Sequence, residues 1–383
     1  MVMTKPAADH AVSLDDKYLL DSGQLYMTGS QALVRLPMLQ LARDHAAGLS
    51  TACFISGYRG SPMHNLDKEL WRAERFLERG RIHFQPAVNE DLAATSIWGS
   101  QLSGLFGGAR YDGVFSMWYG KGPGLDRSLD AIRHANLAGT SPHGGVLAIV
   151  GDDHGMMSSD VPATSEPTFM DLMLPTVYPA TVQELLDLGL FGIALSRFCG
   201  AWVGFKAISD TLDAVASVQA LPDEPRIVVP EFEFAPGGVH IREPDPWKEQ
   251  EPRLRYDKMQ AALAFGRANE VNRVVRKSRR RRLGIVATGK ACLDVLQALD
   301  DLGLNAQVCD ELGIEVLKIS MPFPADRQLL HDFARGLEEV LVVEEKRRIV
   351  ELQLKDALYA VPDGERPVVV GRADEEGHEL VSP

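Results

Sequence analysis

The sequence predicts an α/β protein with a doubly wound, mostly parallel sheet, followed by a second, smaller α/β domain. Two observations predict this. Short apolar runs alternate with helical patterns through most of the chain, as parallel sheets covered by helices on both faces require. A proline-rich stretch near residues 221–252 interrupts the alternation, which resumes at Leu283. A chain of 383 residues is long enough for two domains that each bury a core.

The predicted domain boundaries follow from these interruptions. We expect residues 1–18 to be a flexible lead-in, residues 19–220 the larger domain, and residues 221–282 a proline-rich linker with a charged helix from about Arg253 to Lys277. Residues 283–362 are the predicted smaller domain and residues 363–383 a short tail. The basic run Arg279–Arg282 is interpreted as a solvated strand edge or a contact to an acidic neighbouring domain, because the chain itself is acidic.

The composition excludes several classes of protein. A net charge of −13 argues against nucleic acid as the main partner, since phosphate binding needs a basic face. No apolar run reaches the ~18 residues that span a bilayer, and the first residues lack the apolar core of a signal peptide, so we expect a cytoplasmic protein. The cysteines are far apart, which excludes an iron–sulfur motif or zinc finger in this chain and favours reduced, buried thiols at Cys53, Cys199, Cys292 and Cys309.

The stretch Ile82–Asp126 carries the strongest candidate site. A short strand at Ile82–Phe84 is followed by Asn89-Glu90-Asp91, where a helix begins. The next strand, Val114–Trp118, leads into Gly120-Lys121-Gly122-Pro123-Gly124, which is predicted to be a flexible loop that allows close backbone approach. In open α/β sheets ligands bind at the carboxyl ends of the strands, and both segments are expected there.

Local features leave the role of Glu90 open. A carboxylate at a helix start commonly stabilises the helix dipole. The alternative is general acid/base chemistry or a charged contact to a cofactor nitrogen. If Asn89 caps the helix, Glu90 is free to point elsewhere.

Three further segments have alternative interpretations. The turn Ser56–Pro62 is either a simple strand-to-helix turn or an anion site made by Arg59, the Ser61 hydroxyl and backbone N–H groups. The segment Gly151–Gly155, with Ser158-Ser159-Asp160 after it, is more typical of a self-satisfied turn than of a metal site, and an interface or lid role stays open. Glu344-Glu345 ends a strand and faces either a domain interface or another subunit.

Taken in order, these segments resemble the 2-oxoacid:ferredoxin oxidoreductases, and specifically the N-terminal, alpha-type portion of indolepyruvate ferredoxin oxidoreductases. The family's motifs and their counterparts are the Y-P-G-T-P-like turn at Tyr58–Pro62, the N-E-x-x-A helix start at Asn89–Ala93, the G-P-G loop at Gly122–Leu125 and the D-D-P-G-x-x-S-S segment at Asp152–Ser159. The strand end Val342-Val343-Glu344-Glu345 is similar to that of the transketolase C-terminal-like domain. Arg59 and His154 stand where the family has proline, and the acidic segment that follows the serines is absent.

The resemblance implies a pyrimidine-binding domain for thiamine diphosphate. It implies that Glu90 is the catalytic residue and contacts N1′ of the cofactor's aminopyrimidine, with the cofactor also lined by Gly122, Pro123 and Gly124. The residues implied to bind substrate, by the same resemblance, are Tyr58, Arg59, Ser61 and Lys121. The implied reaction is oxidative decarboxylation of an aryl 2-oxoacid of the indolepyruvate type to an acyl-CoA, with ferredoxin as electron acceptor.

Two parts of that family are not found in the sequence, namely a G-D-G…N pattern and a cysteine cluster. We therefore expect the diphosphate and its Mg²⁺ to be held by a partner chain or domain, and the iron–sulfur clusters to lie outside this chain, with no metal ligand in it. The expected assembly is a dimer or hetero-oligomer, and the isolated chain, the N-terminal piece of a split or truncated enzyme, is expected to be inactive. The alternatives are a non-catalytic assembly or remnant subunit and a component of a non-oxidative thiamine diphosphate enzyme.

Overall fold

The structure is a computed structural model that describes residues 13–21, 23–156, 162–373 and 376–379. The described residues form one six-stranded, one five-stranded and one two-stranded sheet. The six-stranded sheet is called the first sheet and the five-stranded sheet the second sheet. Each is covered by helices, which is the predicted α/β architecture.

The first sheet is parallel throughout. Its strands in chain order are β2 (Thr51–Gly57), β3 (Ile82–Phe84), β4 (Gly113–Lys121), β5 (Val146–Asp152), β6 (Thr176–Val177) and β7 (Val203–Ile208). In space they lie in the order β3-β2-β4-β5-β7-β6. The chain moves outward from β2 to β3 and then crosses to β4 on the other side. Such a reversal opens a crevice at the carboxyl ends of β2 and β4.

Helices bury both faces of the first sheet. Those on one face are α2 (Gly29–Ala46), α3 (His64–Arg72), α4 (Glu74–Arg79) and α9 (Val182–Cys199). Those on the other face are α5 (Glu90–Gln101), α6 (Gly122–Arg127), α7 (Leu129–Ala138) and α8 (Glu166–Asp171). Because both faces are covered, β5 is buried along its whole length and its sequence is almost continuously apolar.

A small antiparallel ribbon lies at the side of the first sheet and is not indicated by local sequence patterns. The short helix α10 (Ser209–Asp213) is followed by β8 (Val215–Gln219), which pairs with β1 (Gln24–Thr28). The partner strand lies far away in sequence, so local propensity did not reveal it. Part of the predicted flexible lead-in, residues 13–18, is also attached to the domain. Arg35 of α2 donates a hydrogen bond of 2.7 Å to the carbonyl oxygen of Tyr18 in α1 (Asp16–Leu19). Residues 1–12 lie outside the described part of the chain.

The segment after the first sheet also differs from the prediction of one charged helix. It contains α11 (Trp247–Pro252), a π-helical turn (Arg253–Lys258) and α12 (Met259–Ala268), and it ends in strand β9 (Arg273–Arg276). The adjacent valines Val274 and Val275 favour a strand here, and β11 (Ile314–Ile319) of the second sheet offers β9 an antiparallel partner. The proline-rich part before α11 is packed rather than loose, with Phe232 and Phe234 against Phe198 of α9.

The second sheet is parallel except at one edge. Its remaining strands are β10 (Leu283–Thr288), β11 (Ile314–Ile319), β12 (Glu339–Val343) and β13 (Val368–Val370), in the order β13-β12-β10-β11-β9. Its helices are α13 (Ala291–Asp301), α14 (Ala306–Leu312), α15 (Arg327–Ala334) and α16 (Val350–Leu358). The predicted tail is therefore wrong in one respect: β13 pairs with β12 and belongs to the sheet. Both edge strands fall outside the 283–362 range predicted for this domain.

The arginine run pairs with acidic side chains around the second sheet itself. Arg279 contacts Asp310 at 2.6 Å, Arg281 contacts Glu315 at 3.0 Å, and Arg282 contacts Glu338 at 3.0 Å. The predicted solvated edge is correct for Arg279, which is largely exposed. The three pairs lie around the second sheet and its helices, so they do not form the predicted contact to a neighbouring domain. Exposed pairs of this kind add little stability.

The two sheets are joined by backbone as well as side-chain contacts. Thr176 at β6 donates its N–H to the carbonyl oxygen of Phe323 at 2.7 Å, and Tyr178 donates to that of Ser320 at 2.8 Å. Lys318 of β11 also pairs with Glu184 of α9. The carboxyl ends of strands from both sheets are thus held near one another.

Lys258, in the π-helical turn, is fully buried at the end of α7. Its Nζ donates to the carbonyl oxygens of Asn136 at 3.1 Å and Leu137 at 3.4 Å. Burial, and to a smaller extent the charge of Arg253, lowers the pKa of Lys258 to about 7. The positive charge is therefore costly in the folded chain near neutral pH.

We expect the free energy of unfolding to rise with pH between about 7 and 10.5. The unfolded chain keeps the Lys258 proton up to the ordinary pKa of 10.5, whereas the folded chain releases it near 7, so the unfolded state binds more protons in this window. In Lys258→Met this component, roughly 1 kcal/mol per pH unit, is absent. Urea titrations of both proteins across the window measure it, and parallel curves would contradict the expectation.

Candidate active site

The predicted site segments meet at the carboxyl edge of the first sheet. The turn Tyr58–Pro62 follows β2, Glu90 comes after β3, and Lys121–Gly124 ends β4 and begins α6. Asp152 is the last residue of β5. The switch between β2 and β4 lies among them, so the sheet topology places these residues around one crevice.

Glu90 is the first residue of α5, but its neighbour provides the cap. The Asn89 side chain accepts a hydrogen bond from the Leu92 N–H at 2.8 Å, as an N-cap residue does. The backbone carbonyl of Glu90 accepts from the Trp118 indole at 2.9 Å. Glu90 as a whole residue is only 6% exposed. Within the described residues no hydrogen bond or ion pair reaches its carboxylate, and a nearly buried acid without a partner is unusual.

The glycine segment is not the predicted flexible loop. Strand β4 runs to Lys121 and α6 begins directly at Gly122, with Pro123 in its first turn, a position that proline favours. A Cβ on Gly124 would lie 2.6 Å from Glu90 Oε1, and one on Gly122 would lie 2.2 Å from the Ala163 Cβ. The glycines therefore let the chain's own groups approach closely. In particular, Gly124 allows α6 to rest against the carboxyl group of Glu90.

The residues predicted to contact substrate lie at the ends of β2 and β4: Tyr58, Arg59 and Ser61 in the turn after β2, and Lys121 as the last residue of β4. Tyr58 donates its N–H to the carbonyl oxygen of Tyr119 at 3.1 Å, which fixes the turn onto β4. A Cβ on Gly60 would be 2.9 Å from Lys121 Cδ, so the Lys121 side chain lies across this turn. Among the described residues, no hydrogen bond or ion pair reaches the side chain of Arg59 or of Lys121. Arg59 is part of the turn and the Lys121 side chain lies across it, so both cations are near the turn that carries Ser61.

The segment after β5 is tied into the protein core. Asp152 Oδ2 accepts hydrogen bonds from the N–H and hydroxyl of Ser165 at 2.8 and 2.9 Å. The Ser158-Ser159-Asp160 part of the motif lies outside the described residues. In the part of the chain that is described, no group of three or more histidine, cysteine or acidic side chains is arranged to hold a metal ion.

The two glutamates after β12 have separate roles. Glu344 accepts hydrogen bonds from the N–H groups of Ile349, Val350 and Glu351 at 2.8 to 3.0 Å, and so caps the start of α16. Glu345 accepts from the Tyr178 hydroxyl, beyond the first sheet. The sequence left open whether these glutamates face a domain interface or another subunit. Glu345 faces the junction of the two sheets within this chain.

Sequence reasoning missed the buried charges that complete this region. Lys206 of β7 and Glu166 of α8 form a buried ion pair of 2.5 Å next to Asp152. A lysine inside the apolar strand Val203–Ile208 is a signal that could have drawn attention, since an unpaired lysine is rarely buried. The four cysteines are buried and free, in agreement with the expectation.

Comparison with known proteins gives a consistent assignment. The family model described as the indolepyruvate ferredoxin oxidoreductase middle domain matches residues 272–382. Indolepyruvate oxidoreductase subunit IorA of Methanothermobacter marburgensis is 26% identical over 347 residues, which are 90% of this chain and 50% of the relative. IorA of Pyrococcus abyssi is 24% identical over 340 residues, 87% of this chain and 47% of the relative. The chain spans about half the length of the curated relatives it matches.

Solved structures support the fold. A 2-oxoglutarate:ferredoxin oxidoreductase from Magnetococcus marinus is similar with a TM-score of 0.59 at 14% identity, covering 91% of this chain and 62% of that chain. A split gene transketolase, described as an inactive beta4 tetramer, is similar with a TM-score of 0.51 at 14% identity, covering 91% and 90%. The predicted fold class and the predicted resemblance to the indolepyruvate branch are confirmed. No helix among the described residues has both the length and the apolar character to cross a bilayer.

Proposed function

Because this chain is related to indolepyruvate oxidoreductase subunits over most of its length, we propose that it is a component of a thiamine-diphosphate-dependent 2-oxoacid:ferredoxin oxidoreductase. The proposed reaction is oxidative decarboxylation of an aryl 2-oxoacid, of the indolepyruvate type, to an acyl-CoA with transfer of electrons to ferredoxin. The observation that carries the proposal is the nearly buried Glu90 carboxylate, without a partner among the described residues, at the switch point of the first sheet.

The residues present fit thiamine diphosphate on two grounds. Glu90 has a carboxylate that no described group satisfies, and a cofactor nitrogen able to share a proton would satisfy it. Gly120 and Gly124 have no side chain that could cover the Glu90 side chain. When bound, thiamine diphosphate supplies the electron sink for decarboxylation.

Each residue then has a defined task in the proposed site. Glu90 holds a proton shared with N1′ of the aminopyrimidine, and the start of α5 stabilises its negative charge. Arg59 and Lys121, with the Ser61 hydroxyl, bind the carboxylate of the 2-oxoacid by charge-assisted hydrogen bonds. Tyr58, about one third exposed at 38%, lines the same side.

The remaining parts of the machinery are assigned outside this chain. We assign the first sheet and its helices to a pyrimidine-binding domain and the second sheet to a transketolase C-terminal-like domain. The diphosphate-binding half with its Mg²⁺, the iron–sulfur clusters and ferredoxin are the proposed partners in a dimer or hetero-oligomer. The isolated chain is accordingly proposed to be inactive.

The proposal is tested on the native complex, isolated without oxygen through a tag on this chain. We expect viologen dye reduction that depends on CoA and on an aryl 2-oxoacid, and that exceeds the rate with pyruvate or 2-oxoglutarate. The purified chain alone, supplied with thiamine diphosphate and Mg²⁺, serves as the control and should show no turnover. A complex that reduces dye with none of these 2-oxoacids would refute the proposed function.

A further inference from the structure

A buried cluster of charged side chains lies next to the glycine turn of the candidate site, which is Gly122–Gly124 at the start of α6. Lys206 projects from β7, next to β5, and is fully buried together with Asp152. Its Nζ lies 2.5 Å from Glu166 Oε1 and 3.9 Å from Asp152 Oδ2. The same ammonium group is 4.3 Å from the centre of the Tyr178 ring. A fully buried lysine requires such partners, because desolvating an unpaired charge is very costly.

Asp152 connects this cluster to the turn. Its Oδ2 is held by Ser165 and by the charge of Lys206, which leaves Oδ1 without a hydrogen bond among the described residues. Oδ1 lies 3.6 Å from the position that a Cβ on Gly122 would occupy. The carboxyl group of Asp152 therefore lies beside the first residue of α6, next to the neighbouring strand pair Lys121 and Gly151.

The opposite end of the same turn touches Glu90. Gly124, two residues after Gly122, lies within contact distance of Glu90 Oε1. The two carboxyl groups, Asp152 and Glu90, thus lie at opposite ends of the first turn of α6.

The cluster is also anchored from the second sheet. The Tyr178 hydroxyl donates to Glu345, which follows β12, and His154 Nδ1 lies 3.6 Å from the same carboxylate. Burial and the charge of Glu166 raise the pKa of Asp152 to about 7 against the opposing effect of Lys206, while Lys206 lowers the pKa of Glu166. The closer ion pair is Lys206–Glu166, and the charge of Lys206 also favours the anionic form of Asp152.

We infer that Lys206 and Asp152 are positioning residues for Glu90: Lys206 holds the Asp152 carboxyl group against Gly122, and this fixes the turn on which the Glu90 side chain rests. The step from Glu90 to catalysis rests on the proposed function. The step from Lys206 to the turn does not, since it concerns only the packing of this chain.

Amide hydrogen exchange of the full chain tests the packing step. Lys206→Met is expected to raise exchange in α6 about 10-fold or more, since local opening free energies change when a buried support is lost. Lys258→Met removes another fully buried lysine and is the matched control. It should raise exchange at the end of α7 and leave α6 within about twofold of wild type.

If Lys206→Met does not fold, Asp152→Asn provides the same test with nearly unchanged volume. Faster exchange in α6 for Asp152→Asn supports the inference. Wild-type exchange in α6 for a folded Lys206→Met or Asp152→Asn protein, or an equal rise in Lys258→Met, would overturn it.

The link to Glu90 is tested in the native complex with Asp152→Asn. We expect kcat to fall about 10-fold while KM for the 2-oxoacid changes less than about twofold, because small displacements of a catalytic group reduce rate rather than substrate binding. Glu351→Gln, which removes another fully buried carboxylate near the second sheet, should change neither kcat nor KM.

The two proposals can fail separately. If Glu90→Gln keeps wild-type turnover but exchange in α6 still rises in Lys206→Met or Asp152→Asn, the proposed function fails and the packing inference stands. If Glu90→Gln is inactive but exchange in α6 is unchanged, only the inference fails.

Discussion

Replacement of Glu90 by glutamine is expected to reduce turnover of the native complex about 10²–10⁴-fold, the range typical of a lost acid/base contact. Glutamine keeps the size of the side chain and its place at the start of α5. It cannot hold the proton that the carboxylate is proposed to share with the cofactor. The measurement is dye reduction under saturating 2-oxoacid and CoA.

Asp91→Asn is the matched control for this prediction. Asp91 is the second acidic residue in the first turn of α5, and it is more exposed than Glu90. If Glu90 only stabilised the helix dipole, both substitutions would have small and similar effects, of about 0.3–1 kcal/mol on stability. Equal activity of the two variants would support that interpretation, or a purely assembling role for the chain.

The same pair of variants also separates function from stability. The Glu90 carboxylate makes no hydrogen bond or ion pair with any described residue, so glutamine breaks no contact there. We therefore expect Glu90→Gln to melt within a few degrees of wild type. Loss of turnover without loss of stability is typical of a substitution in a functional site.

Replacement of Arg197 by methionine is expected to lower the free energy of unfolding by about 3–5 kcal/mol, because it leaves a buried charge unpaired. Arg197 of α9 makes two parallel hydrogen bonds to Asp44 of α2, at 2.7 and 2.8 Å, and donates to the Gly144 carbonyl oxygen. The Asp44 side chain is 4% exposed. After the substitution only neutral groups such as the Thr51 hydroxyl remain to satisfy it.

Denaturant titration measures this loss, with two comparisons. Arg282→Met breaks an ion pair of the same type between exposed side chains and should leave the transition midpoint nearly unchanged. The double variant Arg197→Met/Asp44→Leu removes both buried charges and should recover much of the stability. A single Arg197→Met variant as stable as wild type would show that Asp44 is well solvated.

The elements that the sequence predicted well are those whose signals are local. The helix at Glu90 begins with Asn89, whose side chain caps it within three residues. The apolar run that contains β5 is buried on both faces, and its composition alone indicates a parallel strand. The turn Tyr58–Pro62 follows its strand directly. The positions of these site segments at strand ends were therefore predictable from sequence.

The elements that were missed depend on distant partners. Strands β8, β9 and β13 lie at sheet edges or in a side ribbon, and each forms because a strand far away in sequence offers hydrogen bonds. The glycine segment reads locally as a flexible loop. It is a rigid strand-to-helix junction because Glu90 and Ala163 pack against it.

By itself, the sequence determined the α/β class, the order of the site motifs and the resemblance to the indolepyruvate oxidoreductases. These follow from periodicity and short motifs, which each segment carries alone. Only the tertiary structure shows that Glu90 is nearly buried with no partner among the described residues, that Gly124 lies against it, and that Lys206 is buried between Glu166 and Asp152. Burial and pairing are properties of the assembled sheets, because the charges that meet at one strand edge come from different strands and helices of the chain.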